Sequence, residues 1–444
     1  MKETKYTYRH IARVVLEAET PIAIGTGASD LLTDAPVVRD INGLPYIPGT
    51  SLAGVLRHDL NIADDEKSIF GHHDSKGGEG SRLIVTDAVM IGREGTALDG
   101  LQVNLNMADD FYKHFADLPI RQHVRINDKG TAENGGKFDK QIVLKGTRFV
   151  FEMELCSDTD DEPTFLQTLS QLHTDTFRVG SGTRNGLGKV KVVRLHRAVL
   201  NLNAPADLEA YRTKSSNLAE PLPDCFREEQ VDIVAHDDSW VKYTLRLRPD
   251  DFFRFSSGMG DDEADDTPVT EAVVNWKDGK PTIKPQLTLI PATSVKGALA
   301  HRTAYHYNKI RQFYVGNPEA KTGDANAAVV QIFGKTDEPT RGNILLSDVF
   351  APKADTKLLP HVKIDRFTCG TIKGALFNEK VINARGQEYN LEIFVSRKAI
   401  DDDAVRQAFE HSLQDICDGL LPLGGGVNRG NGIFTGKLET SWKQ

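Results

Sequence analysis

The sequence predicts an α+β protein of two tandem ferredoxin-like, RRM-like domains, each carrying an inserted hairpin. Three observations predict it. The run at residues 33–60, TDAPVVRDINGLPYIPGTSLAGVLRHDL, has a weaker copy of its second half about 240 residues later, the mark of an internal repeat. Both halves then pass through one order of elements: strand, loop, hairpin, capped helix, strand, basic segment, strand, helix, glycine loop, strand. That order gives an antiparallel sheet with two helices on one face. The first domain is expected at 1–200 and the second at 231–444, with a linker at 201–230 that holds a short helical piece and the breaker Glu220-Pro221-Leu222-Pro223.

The repeated run has its own local logic. Val37-Val38 reads as a strand, Asp40-Ile41-Asn42-Gly43 as a tight turn needing positive φ, and residues 44–47 as the returning strand. Pro48-Gly49 stops it, and Thr50 or Ser51 is placed to cap a helix with Leu52, Val55 and Leu56 on one face. The second copy holds Val273-Val274, a turn at Asp278-Gly279, and Pro291-Ala292-Thr293-Ser294 before a helix with Lys296, Gly297 and Leu299. A helix start of this kind offers free N–H groups to a phosphate, or is an ordinary cap.

Composition excludes several classes. At 444 residues, 39% hydrophobic and 26% charged, the chain has room for two or three cored domains. No apolar run approaches a membrane span and MKETKYTYRH lacks a signal-peptide core, so a cytoplasmic location without membrane partners is expected. Cys156, Cys225, Cys369 and Cys417 lie far apart, which signals neither a zinc site nor a disulfide framework. The net charge of −9 argues against a uniformly basic nucleic-acid binder, but acid is concentrated in runs such as DDEADD at 261–266. Local charge decides what a groove holds.

Along the chain, residues 5–24 open as a strand leading into a small-residue loop, with Asp30 and Asp34 beyond it as turn caps or as acids near a ribose or metal. Ile69-Phe70-Gly71, with His72 and His73, precedes a strand at 82–90 containing Asp87; Ile332-Phe333-Gly334 precedes one at 344–350 containing Asp348. Residues 91–120 read as an insertion with helical character. His123-Val124-Arg125-Ile126-Asn127, followed by Lys129, Lys137, Phe138 and Lys140, matches His361-Val362-Lys363-Ile364-Asp365-Arg366 with Lys373, Phe377 and Lys380. Such segments follow a phosphate backbone and stack a base, or are solvated hairpins. Strands at 147–155 and 389–395 and helices at 163–175 and 402–413 lead to glycine loops, 180–189 with Gly182, Arg184 and Asn185, and 424–432 with Arg429. These let backbone amides approach a phosphate, yet they fit neither a P-loop nor a Rossmann turn.

The combination of Asp34-Ala35-Pro36-Val37-Val38, Gly43-Leu44-Pro45-Tyr46-Ile47-Pro48-Gly49-Thr50-Ser51, Phe70-Gly71 and the closing glycine loop resembles the RAMP superfamily of CRISPR proteins. More closely it resembles the backbone subunits of type III effector complexes, and the second half repeats the likeness, so that a fused two-copy subunit of the type III-D kind is implied. The resemblance implies a guide (crRNA) bound along both domains, a single-stranded target RNA cut beside each hairpin, other type III effector subunits as partners, and Mg2+ or another divalent cation. It implies Asp34 as the catalytic aspartate, base or metal ligand, with Arg39, Arg125 and Lys137 as nearby cations; the second half either cuts through Asp266, with Glu271 the other alignment, or only binds. In the first half the implied RNA contacts are Arg39, Thr50, Ser51, Arg57, His123, Arg125, Lys137, Gly182 and Arg184. In the second they are Thr293, Ser294, Lys296, His361, Lys363, Arg366 and Arg429. A scaffold that binds guide without cutting, and a guide-processing endoribonuclease using His72 or His123, are the other readings.

Overall fold

A computed structural model describes residues 6–29, 33–60, 69–74, 77–127, 130–230, 237–335 and 340–442. In the first half, strand β1 (Tyr8–Ala18) is flanked by β5 (Arg148–Ser157) and β6 (Val190–Asn201), both antiparallel. The short β2 (Leu83–Val85) closes the far edge against β5, and β7 (Arg227–Glu228) closes the near one against β6. Ala12, Val14 and Leu16 of β1 face helices α1 (Gly49–Asp59) and α2 (Glu162–Gln171), whose Leu52, Leu56, Phe165 and Leu169 share the same core. Ile11 and Val15, one position out of phase, face the other way onto Phe226 and Leu218. The two-residue period of a strand thus serves two layers. Residues 201–230, with helix α3 (Pro205–Thr213), cover the second face of this sheet, and Arg13 reaches the Glu220 carbonyl at 2.6 Å.

The second half repeats the plan around β8 (Trp240–Pro249). The hairpin strands β9 (Thr270–Lys277) and β10 (Lys280–Ile290) lead into helix α4 (Ala292–Ile310), followed by β11 (Ile344–Leu346), β12 (Val349–Ala351), β13 (Asp355–Ile364) and β14 (Thr371–Asn383). Then come β15 (Tyr389–Ser396), helix α5 (Asp403–Cys417) and β16 (Phe434–Thr440). Its sheet runs β16-β8-β15-β11, and the first runs β6-β1-β5-β2, so each interleaves its fourth, first, third and second strands in one order. These are repeated ferredoxin-like sheets, each with its own apolar core.

Three expectations from the sequence are corrected here. Residues 82–90 and 344–350 are not continuous strands: each breaks after three residues, and Val89–Met90 and β12 resume beyond the break. The break turns Asp87 and Asp348 onto helix starts, where their Oδ1 atoms accept from Gly49 N and Ala292 N, both at 2.8 Å. Thr50, Ser51, Thr293 and Ser294 therefore do not cap. Pro48 and Pro291 occupy the N-cap positions and make no side-chain cap bond, so the acceptor comes from a distant strand. Residues 91–120 contain only one short helix, Lys113–Ala116, the rest being loop pinned by buried Phe111, Phe115 and Leu118.

The two halves are locked face to face. Arg121, at the foot of the hairpin formed by β3 (Ile120–Ile126) and β4 (Ala132–Gln141), reaches Glu271 at 2.5 and 2.7 Å and Asp348 at 2.5 Å. Burial alone would lower its pKa, but Asp348 and Glu271 outweigh burial and raise it, so the guanidinium stays charged. Val274 enters the first core and donates to the Lys145 carbonyl at 2.8 Å, and Trp276 Nε1 donates to the Gly146 carbonyl at 2.7 Å. A Cβ on Gly146 would collide with the Val274 carbonyl, so this contact needs glycine. Removing one member of a buried ion cluster strands the rest. Arg121→Ala is expected to lower unfolding stability by ~3–5 kcal/mol, read by urea denaturation.

Candidate nucleic-acid interface

Each half projects a long two-stranded hairpin, β3–β4 and β13–β14, built alike. His123 lies opposite Phe138 with ring centroids 4.9 Å apart and 18° between planes; His361 lies opposite Phe377 at 4.9 Å and 22°. Beyond these stacked pairs, apolar side chains stand in solvent: Val124 and Ile126 on one hairpin, Ile364, Leu376 and Phe367 on the other, the last 88% exposed. Arg125, Lys137, Lys363 and Arg366 are exposed beside them, Arg125 lying 3.5 Å from Glu133. Of these groups, the Phe367 ring offers a flat face to a base, the aliphatic ones offer apolar contact, and the cations offer charge to phosphates. Burial, then Arg121 and Lys140, pushes His123 down to about 4, so at neutral pH it offers a ring face and no charge. The aromatic was legible in the sequence; the bare apolar row was not, because strand alternation alone does not say which face meets solvent.

At the foot of the first hairpin Asp34 is exposed and clasped to Asp139. Asp34 N donates to Asp139 Oδ1 at 2.8 Å, and Asp139 N donates to Asp34 Oδ2 at 3.0 Å. The flanking ladder fixes its second-half counterpart. Thr26 N donates to Pro36 O as Ser257 N does to Thr267 O, and Gln141 N donates to Ala35 O as Lys380 N does to Asp266 O. Ala35 and Asp266 are therefore equivalent, and the residue matching Asp34 is Asp265, whose Oδ2 accepts from Asn378 N at 2.8 Å. This corrects the sequence alignment, which placed the second-half acid on Asp266 or Glu271. Thr267 stands where Pro36 does and the proline comes one position later, at Pro268, which hid the match.

Asp266 itself is bound inward, accepting from Ser256 Oγ at 2.5 Å and pairing with Arg254 at 2.9 Å. Arg254 also meets Glu379 at 3.0 Å, and Glu379 takes His361 at 2.9 Å and Arg429 at 2.6 Å. The counterpart of Glu379 in the first half is Lys140, which reaches Ser181 Oγ in the glycine loop at 3.3 Å. The two hairpin feet thus share backbone geometry and differ in charge. Glu271 is spent on Arg121.

Other sequence candidates divide by what they touch. The Arg39 guanidinium donates to the Gly43 and Phe115 carbonyls, both at 2.6 Å, which ties the turn to the 91–120 segment and leaves it structural. Arg57 is exposed on α1. Thr50 and Ser51 line a cleft of about 1620 Å3 between α1, the 180–184 loop and second-half residues including Arg341 and Lys398. That exceeds the ~300–1,000 Å3 typical of small-ligand pockets. Gly182 turns the loop with φ 72°, and Arg184 crosses to the Gly342 carbonyl at 2.9 Å, beside the Trp240 ring. Burial, then Arg184, pushes Lys296 down to about 8, and its Nζ donates to Asn185 Oδ1 at 3.1 Å. Thr293 and the exposed Ser294 lie in the first turn of α4. Asp30 and Lys129 lie outside the described residues, as does the His73 side chain.

Among the described residues no group of three or more His, Cys, Asp and Glu is placed to hold a metal. Asp34 with Asp139 offers two carboxylates, which suits Mg2+ only when phosphate and water complete its shell. Among the same residues no helix is long and apolar enough to cross a membrane.

Comparison with known proteins agrees with this architecture. The RAMP superfamily model matches residues 15–191 and 283–435. The chain is 32% identical over 206 residues to a Methanocaldococcus jannaschii protein called CRISPR system Cms endoribonuclease Csm3, a match covering 40% of this chain and 75% of that one. With the family matched across most of its length in two segments, this chain belongs to the RAMP superfamily as a CRISPR-associated, Csm3-like member.

Proposed function

We propose that the chain is a two-copy backbone subunit of a type III CRISPR effector complex, its tandem RAMP domains at 1–230 and 231–444 with residues 201–230 packed on the first sheet in place of the expected linker, which binds guide RNA and cleaves complementary target RNA. The observation that carries this is the repeated foot: an exposed aspartate held by a hairpin amide, Asp34 in one half and Asp265 in the other. A relative named as an endoribonuclease supports the same reading. In this account each hairpin splays a target nucleotide from the guide, its exposed apolar side chains packing against the bases. The carboxylate takes the proton of the ribose 2′-hydroxyl as that oxygen bonds to the neighbouring phosphorus. The bond to the 5′-oxygen breaks and that oxygen is protonated, leaving a 2′,3′-cyclic phosphate and a 5′-hydroxyl. A divalent cation held by Asp34 and Asp139 would supply charge for the phosphorane-like transition state.

His123 does not serve as a general base in this account, since a group pushed down to about 4 draws a proton poorly at neutral pH. A scaffold that binds without cutting remains the competing reading for the second half, where Asn378 stands in place of Asp139.

Target RNA mapped on the assembled complex with Mg2+ is expected to be cut at two positions. Asp34→Ala removes one and Asp265→Ala the other, each by about a hundred-fold or more, while Asp266→Ala spares both. Persistence of both cuts in Asp34→Ala/Asp265→Ala selects the scaffold. A second expectation concerns pH. Phosphate favours the ammonium form of Lys296, so guide affinity falls as pH rises through about 8, where the free protein loses that proton. Lys296→Arg, which keeps its charge, flattens the profile in filter-binding titrations.

A further inference from the structure

The contact between the two halves also describes a contact that is missing at one end of the molecule. In the second half, Asp348 does two things: its Oδ1 caps α4 and its Oδ2 receives Arg121 from the foot of the first hairpin. Beside it, Gly186 of the first glycine loop forms a parallel bridge to Ser347, so close that a Cβ on Gly186 would collide with Asp348 and Ala292. In the first half Asp87 caps α1 through Oδ1 in the same way, and Thr86 precedes it as Ser347 precedes Asp348. Asp87 and Thr86 are exposed, and among the described residues no cation pairs with Asp87. They lie just after β2, the edge strand of its sheet.

The opposite end carries the complementary half of this contact, altered. Gly430 matches Gly186 by its place in the glycine loop, and a Cβ there would meet nothing within 4 Å. The residue matching Arg121 is Leu359, since Arg121 sits opposite Lys140 and Leu359 opposite Glu379 in hairpins of one register. A second copy stacked head to tail would therefore set a leucine against Asp87 where the internal contact has an arginine.

The geometry points to Asp87 and Thr86 as a docking socket for a different chain of the same fold, one that presents an arginine or lysine at the foot of its hairpin. This deepens the proposed role and rests on it, because it names the neighbour that a backbone subunit meets at its first domain. Charge complementarity selects the occupant: Asp348 shows what the socket accepts, and Leu359 shows that this chain does not supply it.

The test uses the assembled complex, co-expressed with its cognate effector subunits and guide and purified through a tag on this chain. A photo-crosslinking amino acid at Ile84, exposed on the same edge, identifies the chain seated there and the residues it presents. Asp87→Lys is expected to lower the recovery of that chain roughly ten-fold or more, and reversing the crosslinked cation to aspartate restores it. Asp87→Asn keeps an oxygen for the Gly49 cap; it should melt like the unaltered protein yet recover less of the neighbour. The inference is overturned if Asp87→Lys retains the neighbour in full, if the crosslinked foot carries no cation, or if the crosslink leads to another copy of this chain. Asp34→Ala leaves the neighbour in place whether or not RNA is cut, so failure of the cleavage account and failure of this one are told apart.

Discussion

An aspartate in the break of an edge strand holds this protein together. Asp348 ties three parts of the chain with one carboxylate: the start of α4, the foot of the first hairpin through Arg121, and its own strand. Its side chain is fully buried, which would be costly for an isolated charge; Arg121 and the Ala292 amide make it tolerable, against the repulsion of the neighbouring Glu271. Because Arg121 sits where the hairpin leaves the sheet, the same cluster fixes the direction in which that hairpin projects. The spacing of the two hairpins, and hence of the two carboxylates at their feet, depends on it.

Duplication with divergence explains the rest of the site. The backbone ladder around Asp34 and Asp265 is the same, whereas the charges around it are rearranged: Lys140 becomes Glu379, Ala35 becomes Asp266, and Arg254 and Arg429 balance the added acids. Lys380 is drawn off to Asp261 and Glu263 of the acidic run, so part of that run is intramolecular counter-charge. The net negative charge of the chain thus coexists with hairpins whose exposed edges are basic and apolar.

Much of this was legible in the sequence, and the failures have physical causes. The repeat, the sheets, the hairpins and the glycine loops follow from periodicity and turn chemistry, and the equivalence of the two basic segments from matched spacing. Three things did not follow. The helix caps were assigned to the adjacent Thr50 and Ser51, but the acceptors come from Asp87 and Asp348, which only the folded sheet brings near. Arg39 looked like a free cation beside Asp34, yet carbonyls 4 and 76 residues away consume it. Asp265 was missed because the position matching Pro36 is Thr267, and the proline stands one place later at Pro268, so counting back from proline misplaces the acid while the hydrogen-bond register does not.

In the proposed role both halves engage one nucleic-acid strand in the same way, with an aspartate at each hairpin foot facing a displaced target nucleotide. A structure of the assembled complex with guide and an uncleavable target tests it most directly. In the expected structure each hairpin parts the two strands, with the Asp34 and Asp265 carboxylates each beside a ribose 2′ position next to a splayed nucleotide. A guide running along another face, or a target nucleotide splayed at one hairpin alone, would contradict it.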